Sequence, residues 1–180
     1  MFIYDAQGNL KATSYNHAPA TANNGDREYI IYHRENPRGG IHIGQVIRSR
    51  TTNDLIIPVS VRINDPAGGF AGVILATVTI DYFRHFYNYF ELEGRDLLAM
   101  MNVDGTAIYV RPFPDSVINR NLSSSPLFTR ELTQKDRGSA TWTSAVDNIE
   151  RIFGFARLER YPLVVAAGYD KPALWSRWLR

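Results

Sequence analysis

Apolar residues come in short runs along this chain, and turn residues separate them at close intervals. Phe2-Ile3-Tyr4 and Leu10-Lys11-Ala12 flank Asp5-Ala6-Gln7-Gly8, a hairpin signal in which the glycine supplies the positive φ such turns demand. A polar stretch through Asn23-Asn24-Gly25 leads to Asp26, which suits the N-cap of a helix from Arg27 to about Arg34, closed off by Pro37 and Gly39-Gly40. Three strands are predicted next, Ile41 to Ile47, Leu55 to Ile63 and Phe70 to Ile80, the last two joined by the turn Asp65-Pro66-Ala67-Gly68-Gly69. Asp81 then suits the first turn of a helix over Asp81 to Glu91. In that helix Phe83, Phe86, Tyr87 and Phe90 form one stripe, the pattern of a helix packed on a sheet.

After Gly94 the same order of signals begins again. Leu97 to Met101 reads as a strand, Asn102-Val103-Asp104-Gly105 as the turn and Ala107 to Val110 as the return strand. A helix from Pro126 to about Gln134 follows, then strands at Ala140 to Val146, Arg151 to Leu158 and Leu163 to Gly168, and a last helix near Pro172. Asp5-Ala6-Gln7-Gly8 corresponds to Asn102-Val103-Asp104-Gly105, and Arg62 to Arg157. An order that occurs twice marks a tandem of two units. The predicted class is α+β, each unit one five-stranded antiparallel sheet with flanking helices. The expected boundaries are 1–80 for the first unit, 81–94 for a connecting helix, 95–170 for the second unit and 171–180 for a C-terminal helix.

Composition narrows the function classes. With 44% hydrophobic and 21% charged residues in 180, the chain has the make-up of a globular protein with a core. A net charge of +2 and the lack of any Lys/Arg cluster argue against a nucleic-acid partner. The absence of cysteine excludes disulfides, thiolate chemistry and sulfur-ligated zinc. No run reaches the roughly 18 to 20 apolar residues of a membrane span, and Met1 does not open a signal peptide. The opening strand and the abrupt closing helix read as ends cut from something longer.

The segment from Asp26 to Arg34 concentrates the chemistry. Tyr29, Tyr32 and His33 share one helical face with Asp26, and Arg27 stands beside them. A guanidinium next to tyrosines can receive a small carboxylate through a bidentate fork with aromatic walls; the same pattern also describes an amphipathic helix whose arginine pairs with a surface acid. Arg62 lies mid-strand between Val61 and Ile63, with Ser60 on its face, turned either to solvent or to a pocket. His17, His33, His42 and His85 show no metal-ligand spacing, and no nucleophile motif or phosphate-cradling loop is present. Neither a metal, a cofactor nor an enzymatic activity is expected. Trp175 and Trp178 suit a membrane surface, a dimer contact or a core equally well.

Two units that each open with a strand and an Asp/Asn-x-x-Gly turn resemble the double Cache (tandem PDC, PAS-like) sensor domains of bacterial membrane receptors. The versions found on membrane-bound diguanylate cyclases look most similar. The residues that carry the resemblance are Tyr4-Asp5-Ala6-Gln7-Gly8, Asp26-Arg27-Glu28-Tyr29, Ile57-Pro58-Val59-Ser60-Val61-Arg62 and Gly69-Phe70-Ala71-Gly72-Val73-Ile74 in the first unit. In the second they are Asp104-Gly105, Val146-Asp147, Arg151 and Tyr161-Pro162-Leu163-Val164-Val165. Family members begin with a long helix that this chain lacks.

The resemblance implies a periplasmic domain of an inner-membrane protein, flanked by membrane spans and paired as a homodimer. It implies that the first, membrane-distal unit binds a ligand and that the C-terminal helix passes the signal to a cytoplasmic output, a GGDEF diguanylate cyclase or else a histidine kinase or chemoreceptor. In members that bind α-amino acids an arginine at the position of Arg27 holds the carboxylate, an aromatic pair follows it, and a late aspartate holds the amine. Here Tyr29 takes the first aromatic position, Ile30 replaces the second, and Thr77 stands where that aspartate is expected. Desolvating a cationic amine with no counter-charge is costly, so a small carboxylate or other polar metabolite is the expected ligand. The expected ligand-binding residues are Arg27, Tyr29, Tyr32, His33, Ser60, Arg62 and Thr77. The alternative is a structural, dimerisation or protein-docking module without a small-molecule ligand.

Overall fold

The computed structural model describes residues 1–16 and 22–178, with the side chains of residues 175, 177 and 178 outside the description. His17 and the side chains of Trp175 and Trp178 therefore lie outside the description. The chain divides into two compact units, Met1–Tyr82 and Phe83–Arg180.

In the first unit β1 (Phe2–Asp5) and β2 (Leu10–Thr13) form the predicted hairpin, and α1 (Glu28–Glu35) follows. Then come β3 (His42–Ile43), β4 (Ile47–Arg48), β5 (Leu55–Asn64) and β6 (Phe70–Thr79), which runs directly into α2 (Ile80–Tyr87). The sheet order is β2-β1-β6-β5-β3, all antiparallel, with β4 also paired to β5. The second unit repeats this order as β8-β7-β11-β10-β9. Its strands are β7 (Leu97–Asn102), β8 (Ala107–Arg111), β9 (Arg137–Thr143), β10 (Glu150–Arg157) and β11 (Leu163–Asp170), and α3 (Lys171–Trp178) follows.

The first sheet has six strands rather than five because the predicted strand Ile41 to Ile47 is broken in two. Pro58 explains the break. Its carbonyl accepts from Gly44 N at 3.0 Å, but proline has no N–H to return the second bond of that pair. The ladder therefore lapses between the pairs Ile43↔Val59 and Ile47↔Ile56. Two helices also differ from expectation. The predicted helix from Pro126 is a single wide turn, Leu127–Glu131. The aromatic helix ends at Tyr87, leaving Phe86 and Phe90 roughly half exposed instead of forming a buried stripe. Tyr87 of that group stacks on a strand residue, Tyr109, with ring centroids 5.6 Å apart, while Arg111 donates to the carbonyls of Tyr87 and Phe90.

The two units share one backbone frame. Gly8 O accepts from Asn24 N, and Gly105 O from Leu122 N, both at 2.8 Å. The loop returning to the helix thus lies against the hairpin turn in each. Both glycines have positive φ, +83° and +90°, and a Cβ on Gly8 would stand 2.2 Å from Gly25 N. Arg62 (paired with Val73) and Arg157 (paired with Val164) are equivalent by register. Each donates to a carbonyl at the end of its unit's helical segment, Arg62 to His33 O and Arg157 to Leu132 O at 3.3 Å, where a cation complements the partial negative charge.

Alternation puts Phe2 and Tyr4 of β1 and Val73 and Leu75 of β6 on the inner face, where they form a core with Tyr29 and Ile30 of α1. The far end of α1 is held by fully buried His33, whose Nε2 lies 3.0 Å from Ser60 Oγ on β5. In the second unit Trp142 stacks on Phe153 at 4.2 Å within a larger apolar core.

Two outcomes follow for stability. Gly8→Ala should cost at least about 2 kcal/mol more than Gly68→Ala, because Gly68 shares the positive φ but has open space where a Cβ would go; urea unfolding of both variants measures the difference. Burial holds the His33 imidazole below its ordinary pKa, helped by His42 and Arg62. With the folded pKa below the unfolded one, stability is full above about pH 6.5 and falls as the unfolded chain takes up the proton. The Tm should drop from about pH 7.5 to pH 5, and His33→Gln, though less stable at neutral pH, should flatten that drop.

Candidate functional site

The inner face of the first sheet, the start of α1 and the β4–β5 hairpin enclose a cavity of about 20 Å³, enough for one or two water molecules. Phe2 and Tyr4 of β1 and Leu75 and Thr77 of β6 form its floor. Asn24, Arg27 and Tyr29 close it from the helix side, and Ser49, Arg50 and Thr51 from the hairpin. Phenols buried on an apolar face need a polar partner. Asn24 supplies it to both, its Nδ2 donating to Tyr4 Oη at 2.8 Å and to Tyr29 Oη at 2.9 Å. Burial pushes both phenols above their ordinary pKa, so they stay neutral.

Two guanidiniums line the cavity and no carboxylate does. Half-buried Arg27 donates from Nη2 to Arg48 O at 3.2 Å. Arg50 is more exposed and holds Asp26 in a two-pronged pair, 2.8 Å and 2.7 Å, while also reaching Asn23 O and Asn24 Oδ1. Asp26 thus serves this ion pair and does not cap the helix, the N-cap being Arg27 with no side-chain capping bond. The Arg50 bond holds the Asp26 carboxyl well below its usual range, at about 2.

The structure divides the seven expected site residues into two groups. Arg27, Tyr29 and Thr77 line the cavity. Tyr32, His33, Ser60 and Arg62 do not; the expected single cavity over Arg27, Tyr29, Tyr32 and Arg62 is not formed. Tyr32 is three residues beyond Tyr29 and lies flat on His42, ring centroids 3.7 Å apart, while His42 Nε2 bonds Glu28 Oε1 at 2.8 Å. Arg62 is committed to His33 O, to Asn64 Oδ1 at 2.6 Å and to the Phe70 ring at 4.9 Å. This second group fastens α1 to β3 and β5.

Sequence reasoning missed Tyr4, Asn24 and Arg50. Tyr4 carried a usable signal, because it shares the inward phase of Phe2 and so brings a buried hydroxyl to the core. Asn24 sat in a stretch read only as polar loop, and Arg50 between two predicted strands, in a segment without a motif.

The second unit encloses a cavity of about 30 Å³ at the same place, but of different character. The shared backbone frame sets Met101 against Tyr4, Leu122 against Asn24, Ser125 against Arg27, Leu127 against Tyr29 and Gly168 against Thr77. No arginine and no tyrosine lines it. Among the described residues no group of three His, Asp or Glu side chains could hold a metal ion.

A family model described as the dCache_1-like histidine kinase sensor domain matches residues 80–168. The extracellular domain of rpHK1S-Z16, described as a histidine kinase, is 31% identical over 98% of this chain and 72% of its own, with a TM-score of 0.83. The ligand-binding domain of the amino acid chemoreceptor PctB of Pseudomonas aeruginosa PAO1, solved with L-Arg, is 16% identical over 99% of this chain and 68% of its own, TM-score 0.70. The periplasmic sensory domain of the Campylobacter jejuni chemoreceptor Tlp1 is 12% identical over 82% and 56%, TM-score 0.66. No curated protein matches the chain. At 12–16% identity the two chemoreceptor domains share the fold, whereas the first relative shares sequence along nearly the whole chain, and with it the chain belongs to the dCache_1-like family of extracytoplasmic sensor domains.

Proposed function

We propose that the first unit is the ligand-binding unit of this sensor domain and that it takes a small carboxylate through Arg27. The observation that carries this reading is the contrast between the two cavities. On one backbone frame the first unit has Tyr4, Asn24, Arg27, Tyr29 and Thr77 where the second has Met101, Leu122, Ser125, Leu127 and Gly168. Buried polar and cationic groups cost stability, and the second unit carries a largely apolar set at the same positions. A cation-lined cavity without a carboxylate suits an anion and offers no counter-charge to an ammonium group.

PctB, solved with L-Gln and with L-Arg, supports a small-molecule ligand for a domain of this fold. The lining chemistry favours a carboxylate over those amino acids. Arg27, Tyr29 and Thr77 contact the ligand in this reading, and Tyr32, His33, Ser60 and Arg62 keep α1 seated. The second unit and α3 relay the change from the periplasm to a cytoplasmic output. The family model and rpHK1S-Z16 support a histidine kinase there over the diguanylate cyclase suggested by resemblance. The parent receptor works as a homodimer between two membrane spans.

The test is a thermal-shift and calorimetry panel of acetate, lactate, butyrate and succinate against L-glutamine and L-arginine. Carboxylates lacking an amine should raise the Tm, because a ligand that binds only the folded state stabilises it. Arg27→Ala should weaken their binding about a hundredfold with an unchanged circular dichroism spectrum. Stabilisation by the amino acids alone, or full affinity in Arg27→Ala, would refute the reading. The cavity's volume of about 20 Å³ is what a module without a ligand would also show, and no shift across the panel would assign the chain to that alternative.

A further inference from the structure

We propose that the Asp26–Arg50 ion pair is a latch over the first cavity, that Asp26 stands in for a carboxylate of the ligand, and that the ligand is a dicarboxylate held by Arg27 and Arg50 together. The proposal rests on the carboxylate reading above and names the ligand class and the closing element of that site.

The cavity is too small for any metabolite, since ligand pockets run to hundreds of Å³, so binding requires one wall to move. Floor and helix are poor candidates. The floor belongs to β1 and β6 at the middle of the sheet, and α1 is pinned at one end by Asn24 and at the other by His33 and Arg62.

The β4–β5 hairpin is different. It is stiff within itself: Ser49 N donates to Asp54 O at 2.8 Å, Asn53 N to Ser49 O at 3.0 Å, and Arg48 Nη1 to Asn53 O at 2.6 Å. Its base is anchored, with Val46 and Ile56 buried and Ile56 paired with Thr79 of β6, whereas the tip beyond the pair Arg48↔Leu55 lies outside the ladder. Across the cavity mouth it is tied by Arg27 to Arg48 O and by Arg50 to Asn23, Asn24 and Asp26. A rigid tip on a fixed base, held across the cavity mouth mainly by one arginine, can swing about the pair Arg48↔Leu55.

The chemistry of that arginine identifies what opens it. Asp26 meets Arg50 in the two-pronged geometry that guanidinium offers any carboxylate. Both side chains are substantially exposed, 47% and 66%, so an incoming carboxylate can exchange with Asp26 without first desolvating a buried pair. A second carboxylate on the same ligand finds Arg27 on the same wall. Arg50 also touches Asn24, which bonds both phenols of the floor, so release of Asp26 is felt where α1 meets the sheet.

The experiment compares succinate with butyrate, which has the same carbon count and one carboxylate, in the wild-type chain and in Asp26→Asn and Arg50→Gln. Calorimetry should show Asp26→Asn binding succinate about fivefold more tightly, the scale of an exposed ion pair, and butyrate more tightly too, since opening becomes easier for either ligand. Arg50→Gln should weaken succinate about tenfold or more, to the butyrate level. Without ligand, amide hydrogen exchange across residues 45–54 should quicken about tenfold in either variant while β5 and β6 keep their protection. The latch is overturned if succinate binds no more tightly than butyrate, if Asp26→Asn leaves succinate affinity unchanged, or if exchange in the hairpin does not respond. Butyrate or lactate binding that depends on Arg27 would leave the carboxylate reading standing in each of those cases. Loss of all carboxylate binding, with the hairpin still loosened by both variants, would sink the carboxylate reading and leave the closing element alone.

Discussion

One side-chain amide organises the first unit. Asn24 has two N–H groups, and both go to buried phenols, one on β1 and one on α1. Without that amide two hydroxyls would be left in an apolar environment, each at a cost of about 1–3 kcal/mol. With it, sheet and helix are joined at a fixed spacing, and the space between them is lined by polar atoms. Neither Tyr4 nor Tyr29 can shift alone, because each would strand a donor on Asn24. The polar lining of the cavity is therefore a consequence of satisfying two tyrosines where the second unit places methionine and leucine.

The sheet topology and the tandem were legible in the sequence because they rest on local signals. Period-two alternation and the Asp/Asn-x-x-Gly turns depend on backbone geometry that recurs wherever the same residues do. The equivalence of Arg62 and Arg157 is legible for the same reason, though their common role at the end of a helical segment is visible only in three dimensions. The broken edge strand is a different case. Pro58 stood in plain view, but its effect depends on which neighbour its missing N–H would have faced, and that is a matter of register. Asp26 shows the limit most clearly. An aspartate before a helix is a good cap by any local rule, yet Arg50 lies twenty-four residues away and takes both of its oxygens. Long-range partners override local propensity wherever a charge can be paired, and composition does not reveal them.

The second unit places its charged groups elsewhere. Arg151 is buried almost completely and pairs with Asp147, an arrangement in which removing either partner is far more costly than keeping both. Gly168 makes it possible, because a Cβ there would meet the Arg151 Cδ at 2.9 Å on the neighbouring strand. From this position Arg151 donates to the carbonyl of Arg95, just ahead of β7. Arg95 in turn pairs with Asp170, and Asp96 accepts from the Asp170 backbone at 2.7 Å. Asp170 is the last residue of β11 and immediately precedes α3.

That chain of bonds bears on how a sensor domain with an arginine- and tyrosine-lined cavity in its first unit can use two units. The segment entering the second unit and the helix leaving it are fastened to each other at Arg95, Asp96 and Asp170, and to the sheet by a buried arginine. A shift of the entering segment must either break a charged bond in a poorly solvated place or carry the start of α3 with it. Breaking is the costly choice, since buried ionic groups without partners lose far more than a displaced helix turn does. The repeat thus divides the labour by chemistry. One copy keeps arginines and tyrosines around a small cavity with a hairpin tip across its mouth, the parts on which the proposed ligand site is built. The other spends the same frame on packing and on a clasp between its two ends.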